Sequence, residues 1–386
     1  MARVARSRTR SRTRQGRRLF WSNNKFDGPP STIQIVNSQL DSQCGDMVGR
    51  PIVDSTFKSY QNNSSMVSNG KCTTVNRSFQ HDHVPIGSID THEGNLTPLK
   101  PHSGWMLDLV AGTNPSRSVV TPPELIQNFI ELPKLLRETF KYLASPRKVL
   151  PPKGLANAHL AVRFGWMPFI EDMMKLLDLQ KYVLKRTKEL QQLYSARGLR
   201  RRLRFADETK EYTGKWTYPL DGTNNSLEAK MFTFVRKQTW GTIRWKPTSP
   251  IPFLPTDENV NRQVTKIVLG LTPEGMAKGL WNVIPWTWLL GWFTNVGKAL
   301  YAHSNTLPAS WSKACFMTSS TATRIAGPVM PTKSTTQNFV EIQGAVILTR
   351  KERYVGSGPV LPGFSMPFLD IGRLSVLGSL AVQRLR

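Results

Sequence analysis

The hydrophobic period of this chain changes at Thr121, and that change limits the folds open to it. Thr121-Pro122-Pro123-Glu124 reads as a capping box with proline at the first helical position. Leu125, Phe129, Leu132, Leu136, Phe140 and Leu143 then recur at helical spacing. Pro133 is expected to kink this helix, and Pro146, Pro151 and Pro152 to end it. Before the change, residues 19–118 are rich in Ser, Thr, Asn, Gly and Pro, and runs such as Thr32–Val36 and Thr73–Phe79 predict brief strands in irregular β structure.

The alternation continues downstream. A second helical tract starts near Leu155 and is expected to break at Gly165–Pro168, burying Phe164 and Trp166. It resumes with Phe169, Met173, Leu176, Leu177, Leu184 and Leu193 on one side, and Gly198 is a candidate C-cap. Glu211–Tyr218 and Lys230–Trp245 flank a turn-like stretch and predict a β-hairpin. Helix returns over Asn261–Leu269 and from Thr272 to about His303, broken at Pro285. Strand-like runs follow at Phe316–Ile325 and Phe339–Tyr354. A last helix over Phe368–Leu385 puts Ile371, Leu374, Leu377, Ala381 and Leu385 on one face.

This order predicts an α+β fold, with an antiparallel β-sheet region and a separate helical bundle region built from sequence-distant helices. The helical region takes residues 121–197, 261–303 and 367–386. The β region takes 19–118, 200–258 and 310–360. Residues 1–18 stand apart as an Arg-rich arm: Arg3, Arg6, Arg8, Arg10, Arg12, Arg14, Arg17 and Arg18, with no acid. Such a run repels itself and is expected to stay disordered until it meets an anion.

The whole chain of 386 residues carries a formal charge of +26, and without the arm's eight arginines the rest still carries +18. An excess of this size implies a polyanion partner, nucleic acid being the commonest. From Lys175 to Arg204 ten bases face two acids, Asp178 and Glu189. The expected RNA-binding residues are Lys181, Lys185, Arg186, Lys188, Arg197, Arg200, Arg201, Arg202 and Arg204, laid along phosphates as one surface and supplemented by the arm. Phe205, Tyr212, Trp216 and Tyr218 lie close by, where stacking on bases competes with an ordinary core role. The same ambiguity covers Trp281, Trp286, Trp288 and Trp292.

Catalytic patterns are missing from the sequence. There is no GxGxxG or GxSxG, and the Gly270–Gly275 spacing has Met276 where a phosphate-binding loop needs Lys. His81, Asp82, His83, His92 and Glu93 cluster, but nothing is placed to close a tetrahedral shell. The expectation is a non-enzyme with no metal or organic cofactor. Cys44, Cys72 and Cys315 lack disulfide or zinc spacing. The charged N-terminus is not followed by an apolar run, so no signal peptide is expected. The most apolar stretch, Leu280–Phe293, is about 14 residues and interrupted, too short for a membrane span.

Two segments carry a family resemblance. Phe164-Gly165-Trp166-Met167-Pro168-Phe169-Ile170-Glu171-Asp172 resembles the FGW-x-P-x-x-x-D signature of leviviral maturation proteins, the A proteins of single-stranded RNA bacteriophages. Ile284 to Gly297, with Pro285, Trp292, Val296 and Gly297, is similar to their second signature, although Gly291 stands where the family usually has Asp. The tract from Ser365 to Arg386 is similar as well. The resemblance covers roughly residues 120–386. It implies an elongated, bent β region and a helical region. It further implies one copy per virion in place of a coat-protein dimer, a grip on hairpins near the 3′ end of the genomic RNA, and attachment to a bacterial pilus for RNA delivery. The protein would be made in the bacterial host cytoplasm and reside in the virion. The rival reading is a cellular RNA-binding protein of ribosomal or organellar type with a basic N-terminal arm.

Overall fold

The structure is a computed structural model that describes residues 6–22, 25–47, 56–74, 78–86, 96, 104–119, 122–143, 152–219, 226–249, 257–283, 293–303, 306–331, 335–338, 341–356, 360 and 371–384. The chain is mixed α+β and divides into two compact units. The first comprises Met1–Pro101, Arg204–Thr242 and Lys313–Gly356. The second comprises His102–Leu203, Ile243–Ser312 and Ser357–Arg386.

The strands are β1 (Arg6–Trp21), β2 (Thr32–Met47), β3 (Phe57–Ser64), β4 (Val67–Thr74), β5 (Ser78–Pro85), β6 (Leu199–Pro219), β7 (Ser226–Pro247), β8 (Ala309–Pro331), β9 (Thr335–Asn338), β10 (Glu341–Gln343) and β11 (Ala345–Val355). They form a sheet in the order β10-β4-β5-β1-β2-β3-β11-β8-β7-β6, with β9 also on β4. The pairings of β1 with β2, β3 with β11 and β8 with β11 are antiparallel. The core of the first unit gathers Met66, Cys72, Phe79, Met231, Val235, Val346 and Leu348, with Phe20, Tyr60 and Tyr212 against it.

Residues 6–21 are a strand, which corrects the disordered arm. The Arg-Ser/Thr alternation has the period of a strand, and Thr favours that state. Pairing with β2 along Arg6–Phe20 satisfies one edge of the backbone, while the charged heads of Arg8, Arg10 and Arg12 are exposed. Pairing with β5 covers only Arg17–Trp21. Gly16 marks its limit: the carbonyl of His83 passes so close that a Cβ would collide with it, and His83 itself has φ +51°. Arg3 lies outside the described residues, as does the side chain of Arg6.

The second unit contains helices α1 (Gly104–Thr113), α2 (Pro122–Leu143), α3 (Pro152–Ala161), α4 (Met167–Leu177), α5 (Leu179–Leu193), α6 (Asp257–Val268), α7 (Pro273–Val283), α8 (Val296–Ala302) and α9 (Ile371–Arg384). Helix α1 falls inside the tract 19–118 that was expected to be β. Its run Trp105–Ala111 is apolar with little period, and most of it is buried, so neither template fits. Helix α3 packs on α9, α1 on α8, α2 on α4 and α7, and α5 on α6. Lys298 reaches Asp108 at 2.7 Å, and Asn114 donates to the Tyr301 carbonyl at 2.8 Å. Thr121 lies outside the described residues, and Pro133 lies inside α2.

Helix α6 ends in a Schellman motif. Gly270 has φ +64°, its N–H bonds the Ile267 carbonyl, and the Leu271 N–H bonds the Lys266 carbonyl. The glycine spacing at 270–275 is therefore a helix stop followed by a start, with Thr272 Oγ1 accepting from the Gly275 N–H at 3.2 Å. In α9 the expected apolar face is also corrected. Val376 is buried, whereas Ile371 and Leu374 are exposed.

Candidate nucleic-acid interface

The first signature does not break its helix. Residues Val162–Trp166 form a π-helical turn that joins α3 to α4 through helical backbone angles. Pro168 sits second in α4, so its missing N–H falls at the junction of the π turn and the α-helix. Gly165 is buried, and Trp166 is half-buried edge-on to Phe169 at 6.4 Å. Phe164, within the π turn, is 40% exposed, against the expectation of burial. Asp172 is buried and accepts from Asn128 at 2.9 Å and from Lys175 at 2.8 Å, tying α4 to α2. Of these signature residues, Asp172 holds two helices together. Of the second signature, Val296 and Gly297 open α8 half-buried, and Pro285 and Trp292 lie outside the described residues.

The basic tract begins on α5. Leu190, Leu193 and Arg186 are buried, and Leu179, Tyr182, Val183 and Thr187 are half-buried. That stripe has helical period, with an arginine at a core position. Leu184, expected on it, is exposed, and so is Leu177 at the end of α4. The chain bends at Asp178 (φ −86°, ψ 8°), which resets the phase between the two helices. The opposite side presents Lys181, Lys185 and Lys188, all exposed. With Gln180, Leu184, Glu189 and Gln192 they line an open depression of about 640 Å³.

Arg186 is removed from the expected binding set. It is buried, donates to Glu189 at 3.0 Å and to the Arg117 carbonyl at 2.9 Å, and burial pushes its pKa down to about 10. Glu189 also pairs with Arg201, whose pKa is likewise lowered by burial. The only carboxylate of α5 borders that depression, but it is engaged by two arginines, Arg186 and Arg201.

Strand β6 divides the remaining arginines by alternation. Leu199, Arg201 and Leu203 are buried or half-buried, with Arg201 on Glu189 and Leu203 against Gly112 of α1. Arg200, Arg202 and Arg204 are exposed on the other face. The expected single surface is thus two: a lysine side on α5 and an arginine side on β6, with Arg201 in neither. Gly198 (φ +68°) turns the chain between helix and strand, where a Cβ would lie 2.5 Å from the Trp245 carbonyl. Arg197 is exposed just before it.

Arg204 belongs to the first unit and pairs with Asp207 at 3.1 Å. Hydrogen bonds from Arg236 and then Gln238 hold the Asp207 carboxyl well below the usual range, at about 2. Its folded pKa is depressed, so its stabilising contribution is complete above the ordinary carboxylate value near 4 and is lost as pH falls through about 2. Carbon-detected NMR titration should show this low midpoint, and Arg236→Gln should move it up toward the ordinary value. Phe205 packs on Phe316 at 5.8 Å and Tyr212 against the core, so these two aromatics are structural. The side chains of Trp216 and Tyr218 lie outside the described residues.

The histidines do not share a face. His81 is buried and bonds Ser68 at 3.0 Å, whereas His83 is exposed beside Asp82 at 2.9 Å. The left-handed backbone at His83 and the register shift between Ser68 and Gly70 separate them. His92 lies outside the described residues. Among the described residues no group of three potential metal ligands gathers, and no helix is long and apolar enough to cross a membrane.

No family model and no curated protein matches the chain.

Proposed function

We propose that the chain is a non-enzymatic RNA-binding virion component, the maturation protein of a single-stranded RNA bacteriophage. One observation carries the RNA reading: Lys181, Lys185 and Lys188 share one exposed side of α5, and the only carboxylate of that helix, half-buried Glu189, is already engaged by Arg186 and Arg201. That side is a phosphate-binding surface, with Arg200 and Arg202 as a second one. The two signatures supply the family, and Asp172 anchoring α4 to α2 gives the first of them a structural purpose.

In this reading the helical region forms a bundle facing the genome, and an elongated β region reaches the pilus. The protein replaces a coat dimer and needs no cofactor. Helix α4 exposes Met167, Ile170, Met174 and Leu177 in a stripe, which suits a chain whose surface is covered in an assembly. The test is to purify the protein from its native particle and count it against coat protein. About one copy per particle supports the reading. Co-sedimentation with ribosomes and not with particles overturns it in favour of a cellular RNA-binding protein.

A further inference from the structure

Strand β1 carries a second charged device, distinct in form from the helix surface. Its even-numbered residues Arg8, Arg10, Arg12 and Arg14 fall on one face, spaced two residues apart, about 6.6–6.8 Å. The cross-strand residues on that face are Cys44, Ser42, Leu40 and Ser38, none of them acidic. Among the described side chains of β2 the carboxylate is Asp41, opposite Ser11 on the other face. Arg10 and Arg12 are exposed and Arg14 half-exposed, and these three make no ion pair among the described residues. Arg17, on the opposite face, has a structural partner in Asp82. Leu40 faces Arg12, is diagonal to Arg10 and Arg14, and is buried, so the aliphatic stems stand over it while the heads reach water.

This arrangement is costly in isolation. Like charges within a Debye length of about 8–10 Å repel, and the strand fixes their spacing. A linear polyanion converts that cost into binding. The guanidinium fork takes phosphate oxygens in pairs, which lysine cannot do, and the comb is all arginine. A straight row of charges follows one extended backbone, whereas the phosphates of a duplex turn away from it. Beyond Gly16 the edge of β1 away from β2 has no strand partner among the described residues, so the backbone N–H groups of that edge are open to the same ligand.

We infer that the β1 arginine comb, centred on Arg10, Arg12 and Arg14, binds an extended single-stranded segment of RNA through its phosphates, without sequence preference. The inference rests on the RNA reading above and adds a second mode to it: hairpins on the helix surface, single strand on the comb.

The test titrates the full chain with a fluorescent oligouridylate and, separately, with a stem-loop RNA, at several salt concentrations. Three single-strand phosphate contacts contribute a salt slope of about 2. Arg10→Gln with Arg12→Gln and Arg14→Gln should therefore weaken oligouridylate binding roughly 100-fold at 0.1 M salt and leave stem-loop affinity within about tenfold. The matching triple Lys variant should keep the slope. If the Gln variant misfolds by circular dichroism, phenylglyoxal modification of the unaltered chain decides: oligouridylate should protect Arg10, Arg12 and Arg14. Unchanged oligouridylate affinity and slope, or no protection, with stem-loop binding intact, sinks the comb and spares the RNA reading. Failure of the unaltered chain to bind either RNA sinks both. Equal displacement of oligouridylate by polyglutamate at matched charge means the comb takes an acidic protein chain, and the inference falls.

Discussion

Replacing Lys181, Lys185 and Lys188 together by glutamine is expected to weaken stem-loop RNA binding roughly 100-fold at 0.1 M salt and to lower the salt slope by about 2 to 3. The reasoning is electrostatic. Each lysine that meets a phosphate releases counterions, so its loss appears both as affinity and as slope. The three residues lie on one exposed side of α5, and their stems carry no part of the buried stripe, so the fold should persist. Phosphate contacts position the ligand and base contacts specify it, so all stem-loops should weaken by similar factors. Arg200→Gln with Arg202→Gln tests the other surface. If only the β6 variant loses affinity, the grip is on the arginine side. A filter-binding series in which both variants keep wild-type affinity and slope would reduce the two surfaces to solvated faces.

Element type was legible from period, because it depends on a sum over many residues. The helices from Pro122 onward and the strands flanking residues 220–225 follow the pattern of their apolar residues. Helix phase was less legible. In α5 a reader takes Leu184 for the core and Arg186 for the surface, and the structure has them reversed. Hydropathy assigns an arginine outward, and nothing local announces that Glu189, Arg201 and the Arg117 carbonyl will meet it inside. Those partners come from elements distant in sequence.

The basic tract was misread for a simpler reason. Arg200, Arg201 and Arg202 are consecutive, and on a strand consecutive residues cannot share a face. A strand starting at Leu199 already implied that Arg201 would part from its neighbours. The arm shows the opposite error. Its charge density argued for disorder, while its two-residue alternation argued for a strand, and solvent screening of the exposed heads let backbone pairing with β2 win. Regular alternation would put His81 and His83 on one face, and it fails where His83 takes a left-handed backbone. Asp172 was legible as important only through the resemblance of residues 164–172 to a family signature. That it holds two helices together needed the fold.

Arg186→Ala should destabilise the helix-containing unit by about 3 kcal/mol; Glu189 keeps Arg201, so the cost is that of lost charged hydrogen bonds and a cavity, not of an unpaired charge. Three losses coincide: the bond to Glu189, the bond to the Arg117 carbonyl, and the volume of a side chain buried in the stripe of α5. For a unit of this size about 1 kcal/mol corresponds to roughly 2–4 °C, so the melting temperature should fall by about 10 °C. Arg186→Met keeps much of the volume and leaves Glu189 paired one-to-one with Arg201, so it should fall by less. RNA affinity measured well below the transition should stay within about twofold of wild type in both variants, since Arg186 does not reach the surface. Calorimetry and filter binding on the same preparations separate the roles. An Arg186→Ala protein that melts like wild type but binds RNA poorly would return Arg186 to the binding surface and remove the buried pair on which the lysine side of α5 depends.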